Sequence, residues 1–188
     1  LNGRSTRSFR NEGHWELVRK KLRKGDYVFI QFGHNDQKAD TARHSDAETD
    51  YKINLGKYID ETRKVGAIPV LFTPIVRRKF NPNGTLADTH GKYTDAVRTV
   101  AKEKQVLLID LNKMSAGLLE KYGPEKSTSL FVWVEPGIYA ALPKGKQDNT
   151  HLNVRGARLI ARMVAEAIKE TIPALAPHIV MYDYVVAK

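Results

Sequence analysis

Apolar positions along the chain switch between the helical and the strand period. From Glu12 to Lys24, Trp15, Val18 and Leu22 share one helical face, and Gly25 can close the helix. Asp26 to Phe32 is a near-continuous apolar run, the pattern of a strand covered on both faces. Ser45 and Glu48 stand at capping-box spacing. The helix predicted after them presents Tyr51, Leu55, Ile59 and Thr62, and Gly66 ends it. The run Ala67 to Pro74 predicts a second strand. A helix from about Gly91 to Glu103 follows, with Tyr93, Val97 and Val100 on one side, and Gln105 to Leu111 predicts a third buried strand. Beyond a helix near Lys113 to Tyr122 the pattern predicts a long loop. Then comes a helix over Val154 to Thr171 with Ala157, Ile160, Ala161, Val164 and Ile168 inward, and a last strand at Ile179 to Val186.

Strands joined by helical crossovers imply a parallel α/β sheet in a single domain over residues 1–188. Ligands in such sheets bind beyond the carboxyl ends of the strands. That rule selects Gly33 to Asp36, Thr73 to Lys79 and the residues after Asp110. The first is the sharpest: Gly33-His34-Asn35-Asp36 directly follows the apolar run Tyr27 to Ile30 and Gln31-Phe32.

Charge changes the picture more than composition does. The chain is 41% hydrophobic and 28% charged, ordinary for a soluble globular protein, and no apolar run approaches the length of a membrane span. Net charge is +10, from 31 Lys and Arg against 21 Asp and Glu, which suggests an anionic partner. Much of the run of eight cations among residues 1–25 lies on a helical pattern, where a solvated basic face is the simpler reading. No nucleic-acid-binding motif accompanies the charge. With no cysteine there can be no disulfide and no thiolate metal site, and the scattered histidines lack zinc-ligand spacing. No metal and no cofactor is implied.

A second polar cluster, Asp148-Asn-Thr-His-Leu-Asn153, precedes the last helix. Asp148 can accept the Nδ1 proton of His151, fix its tautomer and leave Nε2 as a base. Asp148 could equally cap the helix beside a surface histidine. Asp88 and His90 form a rival pair at adjacent spacing. Arg77, Arg78 and Lys79 follow the second strand, where an Arg could grip a sugar carboxylate or simply be solvated. Trp133 and Tyr139 could wall a sugar site, although Trp133 suits core packing as well.

Taken together, the stretches NGRSTRSF (from Asn2), QFGHNDQK (from Gln31), TPIVRRKF (from Thr73), LADTHGKY (from Leu86) and DNTHLN (from Asp148) resemble the blocks of the SGNH (GDSL-type) hydrolase family, most closely its rhamnogalacturonan acetylesterase branch. The resemblance runs from Asn2 to about Thr171. It implies a three-layer α/β/α flavodoxin-like fold with a parallel sheet. It implies a secreted or periplasmic serine esterase that removes acetyl groups from pectic rhamnogalacturonan or a related acidic glycan. Its site pattern assigns the Gly3 N–H and the Asn35 side chain to an oxyanion hole, His151 to the general base and Asp148 to its orienting carboxylate. Arg77, Arg78, Trp133 and His34 are candidates for substrate contact. Gly3, Asn35 and His151 are expected to converge at the carboxyl edge of the sheet.

One block of the family is not found. Its nucleophile lies in a Gly-Asp-Ser block on a first, central strand, and that block would precede Leu1. Ser5 and Ser8 fall where the family has a loop and a helix start. The expectation is therefore a sheet with an open edge beside Asp26 to Phe32 and a nucleophilic serine upstream of Leu1. The competing possibility is a glycan-binding protein that keeps the fold without the nucleophile.

Overall fold

The computed structural model describes residues 2–181. The chain divides into two compact units, Leu1–Pro74 with His90–Asn112, and Ile75–Thr89 with Lys113–Lys188.

The first unit is built on three parallel strands in the order β1-β2-β3: β1 (Tyr27–Gln31), β2 (Ile68–Phe72) and β3 (Leu107–Ile109). Tyr27 pairs with Ile68 and Gln31 with Phe72, and Val70 pairs with Leu107. Helices α1 (Thr6–Asn11) and α2 (His14–Arg19) precede β1. Helix α3 (Asp50–Lys64) links β1 to β2, and α4 (Lys92–Glu103) precedes β3. The core forms because the expected faces meet: Tyr51, Leu55, Tyr58 and Ile59 of α3 and Val97 and Val100 of α4 pack with Ile30 and Leu71 of the sheet. Pro69 lies inside β2, and the alternating faces place Phe29 and Phe72 on the other side, edge-on at 5.4 Å.

Several expectations shift. The helix expected over Glu12 to Lys24 is shorter: α2 begins after Gly13 and ends at Arg19, and a separate helix, α1, precedes it; Trp15 is buried, but Val18 is 38% exposed. Strand β1 is not covered on both faces among the described residues: Phe29 is 47% exposed. Its one pairing partner is β2, so its other edge is open among the described residues, as expected. Ser45 and Glu48 form no capping box. Asp46 Oδ1 instead accepts the backbone N–H groups of Glu48 and Thr49 ahead of α3, and Ser45 is buried.

The second unit contains most of α5 (Leu111–Lys126), which is interrupted at Gly123, a short 3₁₀ segment (Ser127–Leu130), the antiparallel pair β4 (Phe131–Val134) and β5 (Lys146–Leu152), and α6 (Val154–Thr171). Its core joins Val76, Leu119, Leu130 and Phe131, with Trp133, Leu152 and Leu159 packed against them. The expected long loop is thus a β-hairpin plus its connection. Of the α6 residues expected inward, Ile168 is buried, Ile160 and Val164 are half-buried, and Ala157 and Ala161 are exposed. Gly156, in the first turn of α6, passes so close to the chain that an added Cβ would lie 2.0 Å from the Leu130 carbonyl oxygen. The strand expected at Ile179 to Val186 falls mostly outside the described residues; its first three, Ile179 to Met181, have no regular structure.

Candidate active site

The sequence candidates fall into two groups, one in each unit.

In the first unit, Gly33 to Lys38 turn away from the carboxyl end of β1. The Gln37 N–H donates to the Gly33 carbonyl and the Lys38 N–H to the Asn35 carbonyl. This turn carries Asn35 to the N-terminal segment, where its Nδ2 donates to the Arg4 carbonyl at 3.2 Å. An amide nitrogen has two hydrogens, so one bond fixes its direction and leaves a second donor. Gly3, next to Arg4, has φ +76, a left-handed conformation that glycine adopts without strain, and a Cβ there would meet nothing within 4 Å. A backbone N–H of an exposed glycine and an oriented neutral amide are the donor types that stabilise a forming oxyanion.

Asp36 holds this arrangement from inside. Its carboxylate is fully buried and accepts the Thr6 N–H at 3.0 Å, the Thr6 hydroxyl at 2.5 Å and the Gly33 N–H at 3.1 Å. Burial pushes its carboxyl above the usual range, and those three bonds oppose the shift. Thr6 is pinned further: its hydroxyl accepts from Asn54 Nδ2 and its carbonyl from the Tyr58 hydroxyl.

His34 lies beside this turn, its ring edge-on to His90 at 4.5 Å. His90 is buried, with Nδ1 3.0 Å from Gln37 Oε1, while Gln37 Nε2 donates to the His90 carbonyl. This histidine of the rival pair thus occupies a buried position in the first unit.

In the second unit, Asp148 and His151 lie on β5 rather than at the start of α6. Helix α6 is capped by Asn153, whose side-chain oxygen accepts the Gly156 N–H at 3.0 Å. A regular strand would point residues three apart to opposite faces. The pairing explains why these two meet: Phe131 and Trp133 on β4, two apart, match Leu152 and Gln147 on β5, five apart. The extra residues bulge into a turn in which Asp148 Oδ1 accepts the N–H groups of Thr150 and His151, at 2.8 and 2.9 Å. Asp148 Oδ2 then lies 2.7 Å from His151 Nδ1, with Lys146 Nζ at 3.1 Å. Burial of Asp148 works against its ionisation. The two backbone N–H groups, the His151 ring and the Lys146 ammonium outweigh it and hold the carboxyl well below the usual range. An ionised carboxylate on Nδ1 keeps that proton in place, so the neutral ring carries its lone pair on Nε2. The His151 side chain is 74% exposed.

Arg78 stands behind this bulge. Its backbone N–H donates to the Asn149 carbonyl at 2.8 Å, and its guanidinium donates to Asn149 Oδ1, Ser127 Oγ and the Pro124 carbonyl. The guanidinium also lies 4.8 Å from the Trp133 ring centroid, and Trp133 Nε1 donates to Asn149 Oδ1. Arg78 and Trp133 therefore brace the bulge through Asn149. Arg77 is partly buried, which lowers its pKa, and donates to the Thr89 carbonyl at 3.0 Å. Tyr139 is exposed on the connection between β4 and β5. Lys146 escaped the sequence reading, while Asp36 and Asn149 lay inside the quoted polar clusters without a role assigned to them. Their partners are distant in sequence or depend on the bulge.

Every serine is already engaged. Ser5 Oγ accepts the Ser8 N–H and Ser8 Oγ the Ser5 N–H, a reciprocal cap on α1. Ser45 is buried with its Oγ 3.4 Å from the Thr6 hydroxyl, Ser115 accepts the Val76 N–H, Ser127 accepts from Arg78, and Ser129 donates to the Lys126 carbonyl.

A parallel α/β sheet whose first strand ends in Gly-His-Asn-Asp, with an Asp-x-x-His pair on a later turn, defines an acyl hydrolase of the SGNH type. The chain belongs to the GDSL-like Lipase/Acylhydrolase family, which it matches over residues 1–159. Rhamnogalacturonan acetylesterase RhgT of Bacillus subtilis (strain 168) is 42% identical over 178 residues, 95% of this chain and 75% of RhgT. The probable rhamnogalacturonan acetylesterase YesY of the same organism is 33% identical over 90% of this chain and 74% of YesY. Among solved structures, the YxiM protein of Bacillus subtilis superposes with a TM-score of 0.72 at 28% identity, over 89% of this chain and 43% of that one. The acetyl xylan esterase AlAXEase, at 22% identity and a TM-score of 0.64 over 89% of this chain and 78% of that one, shares the fold.

Proposed function

We propose that this protein is a carbohydrate acetylesterase acting on acetylated rhamnogalacturonan or a closely related acidic glycan, with His151 as general base. The observation that carries the mechanism is the 2.7 Å contact between Asp148 and His151 Nδ1, with the carboxylate locked by two backbone N–H groups and His151 exposed. The relatives' activities support the substrate class.

In this reading His151 Nε2 takes the proton of a serine hydroxyl as its oxygen attacks the acetyl carbonyl. The tetrahedral oxyanion is met by the Gly3 N–H and the Asn35 amide. Collapse expels the sugar hydroxyl, which takes the proton back from His151. Water, deprotonated by the same histidine, then releases acetate from the acyl-enzyme. Because the chain's own serines hold caps and internal bonds, the reading assigns the nucleophile to a serine preceding Leu1. Arg77 and His34 are assigned to the sugar side. Arg78 and Trp133, as placed, support the reading better as braces of the base than as substrate ligands.

Acetate release from acetylated rhamnogalacturonan tests this in the full chain that carries the upstream serine. His151→Ala should abolish release while leaving the fold intact. Undiminished release from that variant would overturn the assignment of His151.

A further inference from the structure

We propose that Asp36 is a positioning residue that sets the two oxyanion donors as one unit, by clamping the Gly3 to Thr6 segment to the turn that carries Asn35. The proposal rests on the acyl-transfer reading above and deepens it.

The argument begins from cost. A carboxylate with no exposure is expensive to bury unless charge or hydrogen bonds compensate it. Asp36 is fully buried, and the donors that meet it are neutral: the Thr6 N–H, the Thr6 hydroxyl and the Gly33 N–H. The carboxyl shifts upward, as a group held without a compensating cation should. An Asn or a Ser could satisfy the start of a six-residue helix at lower cost. What a carboxylate adds is reach in two directions. Oδ1 takes both donors of Thr6, three residues after Gly3, while Oδ2 takes the N–H of Gly33, two residues before Asn35.

The same junction is closed from the other side, because Asn35 Nδ2 donates to the Arg4 carbonyl. Asp36 and Asn35 thus form a two-point clasp on the segment Arg4 to Thr6. A third tie anchors the clasp to α3, through Asn54 and Tyr58 to Thr6. The Tyr93 hydroxyl lies 2.8 Å from the Ser45 carbonyl and 3.2 Å from the Asp36 carbonyl, and so ties this region to α4. One donor is a backbone N–H on a segment with φ +76 at Gly3, and the other is a side chain on a separate turn. Without the clasp each would move independently. Preorganisation of such donors is what gives them their effect on the barrier, and a displacement of about 1 Å can cost on the order of 10²-fold in rate.

The test compares the full chain with Asp36→Asn, Asn35→Ala and the double variant, in acetate release and in the NMR signals of the Asn35 side-chain amide. Asp36→Asn preserves shape but weakens acceptance of three donors. It should lower kcat by about 10- to 100-fold with KM nearly unchanged, and the Asn35 amide signals should shift or broaden. In the Asn35→Ala background the same change should cost much less than it does alone, because one of the two positioned donors is gone.

Losses that multiply in the double variant, or an Asn35 amide unchanged by Asp36→Asn, would overturn the clamp. If Asn35→Ala leaves acetate release intact, the acyl-transfer role of Asn35 falls, while the NMR comparison still decides whether Asp36 orients it. Should Asp36→Asn fail to fold, Thr6→Val removes the hydroxyl arm of the clasp alone and must shift the same amide signals. Thr6→Ser must restore them.

Discussion

Asp36 and Asp148 show how one residue type is put to two uses by its surroundings. Asp148 sits on a bulge among backbone N–H groups, an imidazole and an ammonium, and its charge is stabilised. Asp36 sits in the core among neutral donors, and its charge is costly. Linkage gives the two opposite signs. A carboxyl whose folded pKa is depressed contributes stability above its ordinary value and loses it as pH falls through the folded value. Asp148→Asn should therefore flatten the acid limb of a urea-midpoint profile below ~pH 4. A carboxyl whose folded pKa is raised contributes stability below its ordinary value and loses it as pH rises to the folded value. Asp36→Asn should remove a decline that begins near ~pH 4 and runs upward. Unfolding midpoints from ~pH 2 to ~pH 7 separate the two, and identical profiles for both variants would contradict the assigned environments. On the chemical side, Asn35→Ala removes one of two oxyanion donors and should cost roughly 10²–10³ in kcat in the full chain. Asp148→Asn should cost about 10⁴ by releasing the wrong tautomer of His151. Steady-state acetate release reads both.

At the scale of elements, the second unit turns on how β5 passes into α6. Asn153 caps α6 through Gly156 and donates to the carbonyls of Ser129 and Phe131, so it ties the helix start to the entry of β4. Asn153→Ala should destabilise by about 1 kcal/mol for the cap and roughly 1 kcal/mol for each donation lost. Asn153→Asp keeps the cap but turns a carboxylate toward two carbonyls, so it should recover little. Urea unfolding measures both, and full recovery by Asp would show that the two donations carry no weight. This hairpin is also where the sequence was least legible. The helices α3 and α4 and the strands β1 to β3 follow from apolar period alone, because Tyr51, Leu55, Ile59, Val97 and Val100 are buried on the faces their spacing predicts. Strand β5, Lys-Gln-Asp-Asn-Thr-His-Leu, offers one apolar residue. It is a strand because β4 pairs with it, and tertiary pairing overrides a pattern that reads as loop. The start of α2 after Gly13 and the failed capping box at Ser45 have similar origins. A glycine can delay a helix start without interrupting the apolar period, and Asp46 competed successfully for the backbone donors that Ser45 was expected to meet.

At the scale of the whole molecule, the polar clusters of the candidate site were legible and the role of the charge was not. Gly-His-Asn-Asp stands out because it directly follows an apolar strand, and Asp-x-x-His because its carboxylate and imidazole are close in sequence. The 31 Lys and Arg behind the net charge of +10 are spread along the chain, and several pair locally with acids: Arg10 with Glu61, Arg98 with Asp110, Lys104 with Asp60. The excess that remains has a long-range consequence that local pairing does not cancel. A polyanionic glycan should be drawn in by the summed field, whereas a small neutral ester should not. The screening length falls from about 30 Å at 0.01 M salt to about 8 Å at 0.15 M, so the field acts at a distance in the first case and at contact in the second. In the full chain, KM for acetylated rhamnogalacturonan should therefore rise several-fold between these two salt concentrations, with kcat nearly constant. KM for a neutral aryl acetate should stay flat. Initial-rate measurements on both substrates across the same salt series make the comparison. A salt response shared by the neutral ester would point to an effect on the enzyme itself, and a flat response for both would remove the acidic glycan as the partner of the positive charge.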